Sequence, residues 1–431
     1  MKDIVVDPVH GSIKMPLWLI QIKDEPAIRK MIFIRQLGLK SSIDFPGAIH
    51  TRYSHCIGTM HLAKRILDTL RDKAEGDPEL VELLKENENT VMAAGFLHDI
   101  GHGPFSHVLD FPLKKIAKTS HESVARYIID CKLKILEKEH GIPIKSICEI
   151  IEATHQHRFL SQIVNGPLDA DKLDYILRDS YHIGLRFAID TGYLTNQYKI
   201  LGGDYRLIER QLGIENNADA QVASELYLVM WKSLYDLLYY VEDSRIAEKM
   251  MEKAILDAAE KNKKFKQIIV EPSRFTALHD STFQELLEKQ TPFAKGIAKS
   301  IAGNKLYKAA LREPLRVKKF QRIAGQFLDH LRKDTDDAAH LLTMKLNADL
   351  ELSKYELICD IIKSRVPREI NIDLIRNDEP VELASKSRII RSLQEEITLK
   401  VYSRSERLPK GLTANQLKQK IMHILTSWSR S

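Results

Sequence analysis

The sequence predicts a mainly α protein that opens with a short β-hairpin and closes with a smaller α+β region. Three observations carry this prediction. Apolar residues recur at three- and four-residue spacing through most of the chain up to about residue 300. The turn-forming pair His10-Gly11 separates Ile4–Val6 from Ile13. Strand-like alternation returns near the other end, at Glu369–Leu374 and Ile397–Tyr402.

The elements follow in order. After the hairpin, Ile57, Met60, Ala63, Ile66 and Leu70 mark one face of an amphipathic helix expected to begin just after His55. Helices are expected over 90–100 and 120–138, the latter starting where Thr119 and Glu122 have capping-box spacing. Further helices are read over Asp169–Asp179 and, as one long element, over 219–262. Asp378-Glu379-Pro380 reads as a break between the two C-terminal strands. At 431 residues the chain exceeds a typical single core. The prediction is therefore a core over 1–310, with its motif-bearing segment at 50–180, and a basic α+β region over 311–431.

Composition places the chain among folded globular proteins, with 44% hydrophobic and 29% charged residues and no low-complexity tract. MKDIVVDPVHG lacks the apolar core of a signal peptide and MPLWLI is too short to cross a bilayer, so a cytoplasmic protein without membrane contact is expected. Cys56, Cys131, Cys148 and Cys359 form no CxxC pair, as expected of reduced structural thiols. The net charge of +6 is uneven: residues 301–335 hold nine Lys/Arg against three Asp/Glu, and 385–431 ten against three. Solvated helix faces account for each cluster taken alone, and contact with nucleic acid is the sharper reading.

The chemistry concentrates in GFLHDIGHGPFSH at 95–107, where His98, Asp99, His102 and His107 follow an apolar run. Such groups at the end of a buried helix are costly unless something compensates them. His55, His98, Asp99 and Asp171 offer the imidazoles and carboxylates that bind a divalent cation. Helix neighbours point about 100° apart. His98 and Asp99 can therefore share an ion only in a crevice that His55 and Asp171 close. An isolated His-Asp pair, or His55 alone, is also explained as a hydrogen-bonded helix-end group. The weight lies in the order H…HD…D within RYSH, LHDIGHGPFSH and DADKLDYILRD. Asp171, Tyr175 and Asp179 share one helix face with Lys172 beside them, and Leu173, Ile176 and Leu177 cover the other. By itself this shows only an amphipathic helix.

Together these stretches resemble the HD-domain phosphohydrolases, and more narrowly the deoxynucleoside triphosphate (dNTP) triphosphohydrolases. The likeness runs from VDPVHGSI through IRQLG, FPGAIHTRYSHCIGTMHLA, FLHDIGHGPFSH, SHES and DADKLDYILRDSYHIG, and weakens through 219–262. No sterile alpha motif, which the animal members of that family add to the HD domain, is found in the sequence. The resemblance implies a helical HD core and one divalent ion (Mn, Fe, Mg, Zn, Co or Ni) on His55, His98, Asp99 and Asp171, with Mg accompanying the nucleotide. It implies hydrolysis of a dNTP to nucleoside and inorganic triphosphate. His107 matches the catalytic histidine with Asp110 orienting it. His102 and His121, with Glu122 beside them, match the histidines near the phosphates, and Glu122 by itself is also explained as a helix cap. Arg52 and Lys172 match phosphate contacts, Tyr175, Asp179 and Tyr239 match sugar contacts, and Gln36-Leu37 match the pair that excludes a 2′-hydroxyl. A homo-oligomer, dimer or tetramer, is also implied.

The sequence departs from the family at three positions. Trp231 and Tyr235 stand where the animal relatives have an arginine and a histidine, and Trp231 suits either the core or base stacking. Asp24 matches the nucleotide-activator site, but Ile32 replaces its arginine. Two other readings are weighed against the dNTP triphosphohydrolase: a nuclease or phosphodiesterase using the same metal centre, and a non-catalytic binding module, for which a broken ligand set is expected. Asp99→Ala is expected to abolish turnover and leave the fold largely intact.

Overall fold

The computed structural model describes residues 3–186, 190–201, 211–315, 331, 333–364, 372–376, 379–393 and 396–427. The expected hairpin forms from β1 (Ile4–Asp7) and β2 (Gly11–Lys14), with Val5 opposite Ile13. Asp7 closes its turn by accepting from the backbone N–H groups of Val9 and His10 at 2.9 and 3.0 Å.

Helix α1 (Arg52–Lys73) lies at the centre of the fold. It starts at Arg52, four residues ahead of the expected position, because Thr51 and Ser54 form a reciprocal capping box. His55 therefore sits in its first turn, fully buried. Helices α2 (Glu88–Leu97) and α4 (Ala170–Ile183) both pack on α1, and α3 (His121–Lys132) lies between them in sequence. The cap of α3 is Ser120, whose hydroxyl accepts from Ser123 N, one residue beyond the expected Thr119. Glu122 is thereby released from a capping role and lies 3.2 Å from His121.

The long helix expected over 219–262 is two. α5 (Ala218–Leu234) runs into a single π turn over Tyr235–Tyr239, and α6 (Glu242–Lys261) starts afresh with two acids in its first turn. Apolar spacing continues across the junction, so periodicity alone hides it.

The sheets are small. β3 (Tyr198–Leu201) pairs with β4 (Gln211–Glu215), and β4 takes β7 (Asp373–Arg376) as a parallel neighbour. The N-terminal part of the strand expected from residue 369 and the break residue Asp378 lie outside the described residues. Glu379 and Pro380, expected in that break, instead open β8 (Glu379–Glu382), which pairs with β7. It is the outer strand of this sheet, where a missing proline N–H is tolerated. The other sheet places β9 (Ile397–Ser403) between β5 (Lys308–Pro314) and β6 (Leu357–Lys363), all antiparallel.

Two apolar cores result. The larger gathers α1 to α6 around Ile57, Met60, Phe96, Leu173 and Met250. The smaller joins Leu357, Cys359 and Val401 of the second sheet to Leu342 of α7 (Thr335–Asp349) and Leu417 and Ile421 of α8 (Ala414–Ser427). All four cysteines are free, and three are buried. Among the described residues no helix is long and apolar enough to cross a membrane.

Candidate metal and substrate site

α1, α2 and α4 bring His55, His98, Asp99 and Asp171 to one point. His55 Nε2 lies 3.3 Å from His98 Nε2, 3.0 Å from Asp171 Oδ1 and 3.6 Å from Asp99 Oδ2. His98 Nε2 lies 3.5 Å from Asp171 Oδ1 and 3.4 Å from Asp99 Oδ1.

The outer ring nitrogens fix both tautomers. His55 Nδ1–H donates to Asp174 Oδ2 at 2.8 Å, and His98 Nδ1–H donates to the Gly95 carbonyl at 2.9 Å. With a cation bound, each imidazole would be neutral and turn its Nε2 lone pair into the cluster, so that two lone pairs and two carboxylates would face a common centre. This donor set fits a cation and little else. The acids around His55 favour a positive charge at this point, whether a proton or a cation. Burial alone would lower the His55 pKa, but hydrogen bonds to Asp171 and Asp174 reverse this and push it up to about 10. Burial likewise works against an ionised Asp99, yet the Arg52 guanidinium holds its carboxyl well below the usual range.

The support beneath His55 was not read from the sequence. Asp174 Oδ1 lies 2.6 Å from His10 Nε2, and Arg178 clamps both Asp174 oxygens at 2.8 and 2.9 Å. Arg178 also reaches Asp7 of the hairpin turn at 2.8 Å. All of these side chains are buried. The signal was present: Asp174 follows Asp171 by three residues on one helix, and VDPVHG supplies Asp7 and His10. Gly58 leaves the space for this network, since a Cβ there would lie 1.8 Å from Asp174 Oδ1 and 2.4 Å from Arg178 Nη2. Gly58→Ala is accordingly expected to destabilise the chain by at least about 1–3 kcal/mol through overpacking. A thermal melt reads this, and an unchanged midpoint removes the network's claim to rigidity.

A second cluster stands beside the first. His107 Nδ1–H donates to Asp110 Oδ2 at 2.9 Å, and His121 Nδ1–H to Asp110 Oδ1 at 3.0 Å. Although burial opposes it, these bonds hold Asp110 well below the ordinary carboxylate range. His102 stacks on His121 with ring centroids 3.9 Å apart. Burial, with Arg52 and His121 nearby, keeps the His102 pKa far below its usual value, so His102 is neutral. His121 is shifted upward: Asp110 and Glu122 outweigh its burial. Gly101 permits this approach, because a Cβ there would lie 1.9 Å from the His121 carbonyl. The loop before His107 is strained, with Phe105 and Ser106 at φ of 58° and 53°. Asp280 accepts from Phe105 N at 2.7 Å and Ser106 Oγ donates to the Arg35 carbonyl at 2.8 Å, which holds it in place.

A cavity of about 700 Å³ opens above both clusters, inside the roughly 300–1,000 Å³ range of small-molecule sites. Its walls include Gln36, Leu37, Arg52, His98, Asp99, His102, His107, His121, Glu122, Asp171, Lys172, Tyr175, Asp179 and Tyr239. His55 lies buried beneath it, and Asp110 stands behind His107. Arg52 bridges the two clusters, bonded to Asp99, to Ser106 Oγ at 3.1 Å, and 3.4 Å from His107 Nε2. Because Asp99 is the buried partner of Arg52, Asp99→Ala would leave a guanidinium uncompensated, and the expectation of an undisturbed fold is corrected. Lys172 is turned back onto Asp169 and the Gly166 carbonyl at 2.6 and 2.9 Å. Asp179 takes Tyr239 OH at 2.5 Å and His50 Nε2 at 2.8 Å. Trp231 is core: it is buried and its Nε1–H donates to Tyr175 OH at 3.0 Å. Ile361, Ile362 and Lys363 of β6 and Thr335 and Asp336 of α7 complete the wall.

Comparison with known proteins agrees with this geometry. The HD domain family matches residues 52–179 and the HD associated region 205–416. The chain carries an HD domain followed by an HD associated region. More narrowly, it is homologous to the deoxynucleoside triphosphate triphosphohydrolases named SAMHD1. It is 28% identical to that of Bos taurus over 408 residues, 83% of this chain and 66% of the relative. The Dictyostelium discoideum SAMHD1 homolog is 27% identical over 327 residues, 71% and 60% respectively. The uncharacterized protein MJ1154 of Methanocaldococcus jannaschii is 30% identical over 269 residues, 62% and 52%. The chain thus spans between about half and two thirds of these relatives' length. Family and homologues together support a metal-dependent HD phosphohydrolase.

Proposed function

We propose that this protein is a metal-dependent dNTP triphosphohydrolase that releases a deoxynucleoside and inorganic triphosphate. The observation that carries the reading is the convergence of His55, His98, Asp99 and Asp171 on the floor of a cavity lined by Arg52, His102, His121 and Lys172. A divalent ion held by those four residues would polarise a phosphoryl oxygen and acidify a water molecule.

The chain's own groups do the rest. Arg52 and His121 bring positive charge to the triphosphate, and neutral His102 donates or accepts in a dry position. Lys172 joins them when it swings from Asp169. Water attacks the α-phosphorus and the P–O5′ bond breaks; His107, oriented by Asp110, passes a proton from Nε2 to the departing 5′-oxygen, and the proton lost by the attacking water restores it. Tyr175, Asp179 and Tyr239 hold the sugar, and Gln36 with Leu37 fills the space a 2′-hydroxyl would need. The C-terminal region, which we place from about residue 310, contributes Ile361–Lys363 to the cavity wall.

The test is incubation with each dNTP, each NTP and a single-stranded oligonucleotide across Mn, Fe, Mg, Zn, Co and Ni, with products resolved by ion exchange. Triphosphate from dNTPs alone is expected. Cleavage of the oligonucleotide with intact dNTPs would replace this reading by the nuclease.

A further inference from the structure

We propose that Asp280 is a positioning residue that joins the sugar-selecting pair Gln36-Leu37 to the loop carrying His107, so that rejection of a 2′-hydroxyl and proton delivery rest on one carboxylate. The inference takes the roles of those residues from the reading above. Asp280 opens the helix Asp280–Glu288, far outside the HD segment. Its Oδ1 accepts from Phe105 N at 2.7 Å and its Oδ2 from Arg35 N at 3.0 Å, partners 175 and 245 residues away in the chain. One oxygen thus holds the backbone two residues before His107. The other holds the backbone immediately before Gln36.

The helix itself does not need this carboxylate, because His279 and Thr282 form its capping box. The two segments that Asp280 bonds also press on each other. Gly38 has a φ of 49°, and a Cβ there would lie 2.7 Å from the Phe105 carbonyl oxygen. The helix rests on both: Phe283 meets Phe105 with ring centroids 6.4 Å apart, and His279 meets Phe33 at 5.4 Å. Left-handed backbone at Phe105 and Ser106 persists only where its surroundings fix it. A carboxylate suits the task because both its oxygens accept, whereas an amide offers one acceptor and one donor. With an amide in its place, either Phe105 N–H or Arg35 N–H would face another N–H, and the sugar pair and the proton donor would no longer be held in one frame.

Asp280→Asn in the full chain tests this, since it keeps the shape of the side chain. The ratio of kcat/KM for a dNTP to that for the matching NTP is expected to fall about tenfold, the scale of one unpaired buried donor, and kcat for the dNTP to fall with it. Hydrogen–deuterium exchange reads the same bridge without turnover, and uptake is expected to rise over residues 33–38 and 103–107 together. Leu287→Ala, at a fully buried position of the same helix, is expected to lower the thermal midpoint and leave the ratio unchanged. An unchanged ratio in Asp280→Asn overturns the proposal. So does exchange that rises in one segment alone, or a ratio that Leu287→Ala lowers equally. If the native chain turns over no nucleotide, the triphosphohydrolase reading fails by itself, and the exchange pattern alone decides for or against the bridge.

Discussion

Asp99→Asn is expected to lower turnover by about 10³-fold or more while the chain still folds. A bound divalent ion contributes several kcal/mol to stabilising a phosphoryl transition state, and each 1.4 kcal/mol is about tenfold in rate. Asparagine keeps the volume of Asp99 and a carbonyl oxygen for Arg52, so the buried guanidinium retains a partner. What is lost is one of two negative charges facing His55 and His98, and with it the neutral charge balance of an occupied site. Metal content by elemental analysis and turnover should fall together, with the thermal midpoint little changed. Full turnover in a metal-loaded variant would sink the ligand assignment.

The second large effect is expected at Asp174, which contacts neither substrate nor ion. Asp174→Ala leaves Arg178 with Asp7 alone and strips the partner from the outer nitrogens of His10 and His55, all of them buried. Removing one side of such a pair costs about 3–5 kcal/mol. A urea titration should show the loss as an earlier midpoint with unchanged slope. Asp174→Asn separates orientation from folding. It keeps the packing but weakens the acceptor that fixes the His55 tautomer, and a 10–100-fold drop in metal affinity is expected. Equal metal affinity in Asp174→Asn and the native chain would reduce Asp174 to a structural residue.

Most of the site was legible because its groups lie in short contiguous stretches. His98, Asp99, His102 and His107 share ten positions, and Asp171, Tyr175 and Asp179 share one helix face. The N-terminal hairpin, the helical core and the β9 strand were legible from local turn and periodicity signals. What escaped was long-range. Asp174 earns its place only when α4 meets α1 and the β1–β2 turn, contacts more than a hundred residues apart in the chain. Trp231 was ambiguous until Tyr175 was seen to accept from its indole N–H. The π turn after α5 was hidden because the phase shift it introduces falls within Tyr235–Tyr239, where apolar or aromatic residues occupy four of the five positions. The start of α1 was hidden because Ser54, and not the usual glutamate or glutamine, completes the capping box with Thr51.

The wall supplied by β6 and α7 changes what the HD segment can be expected to do unaided. Taken alone, residues 50–180 would present their four ligands as a floor without a ceiling. Bulk water would lie over the ion, and the attraction between Arg52 and a polyphosphate would be damped toward its value in open solution. The proposed reaction would thus depend on β6 and α7, which the chain reaches more than two hundred residues after His98.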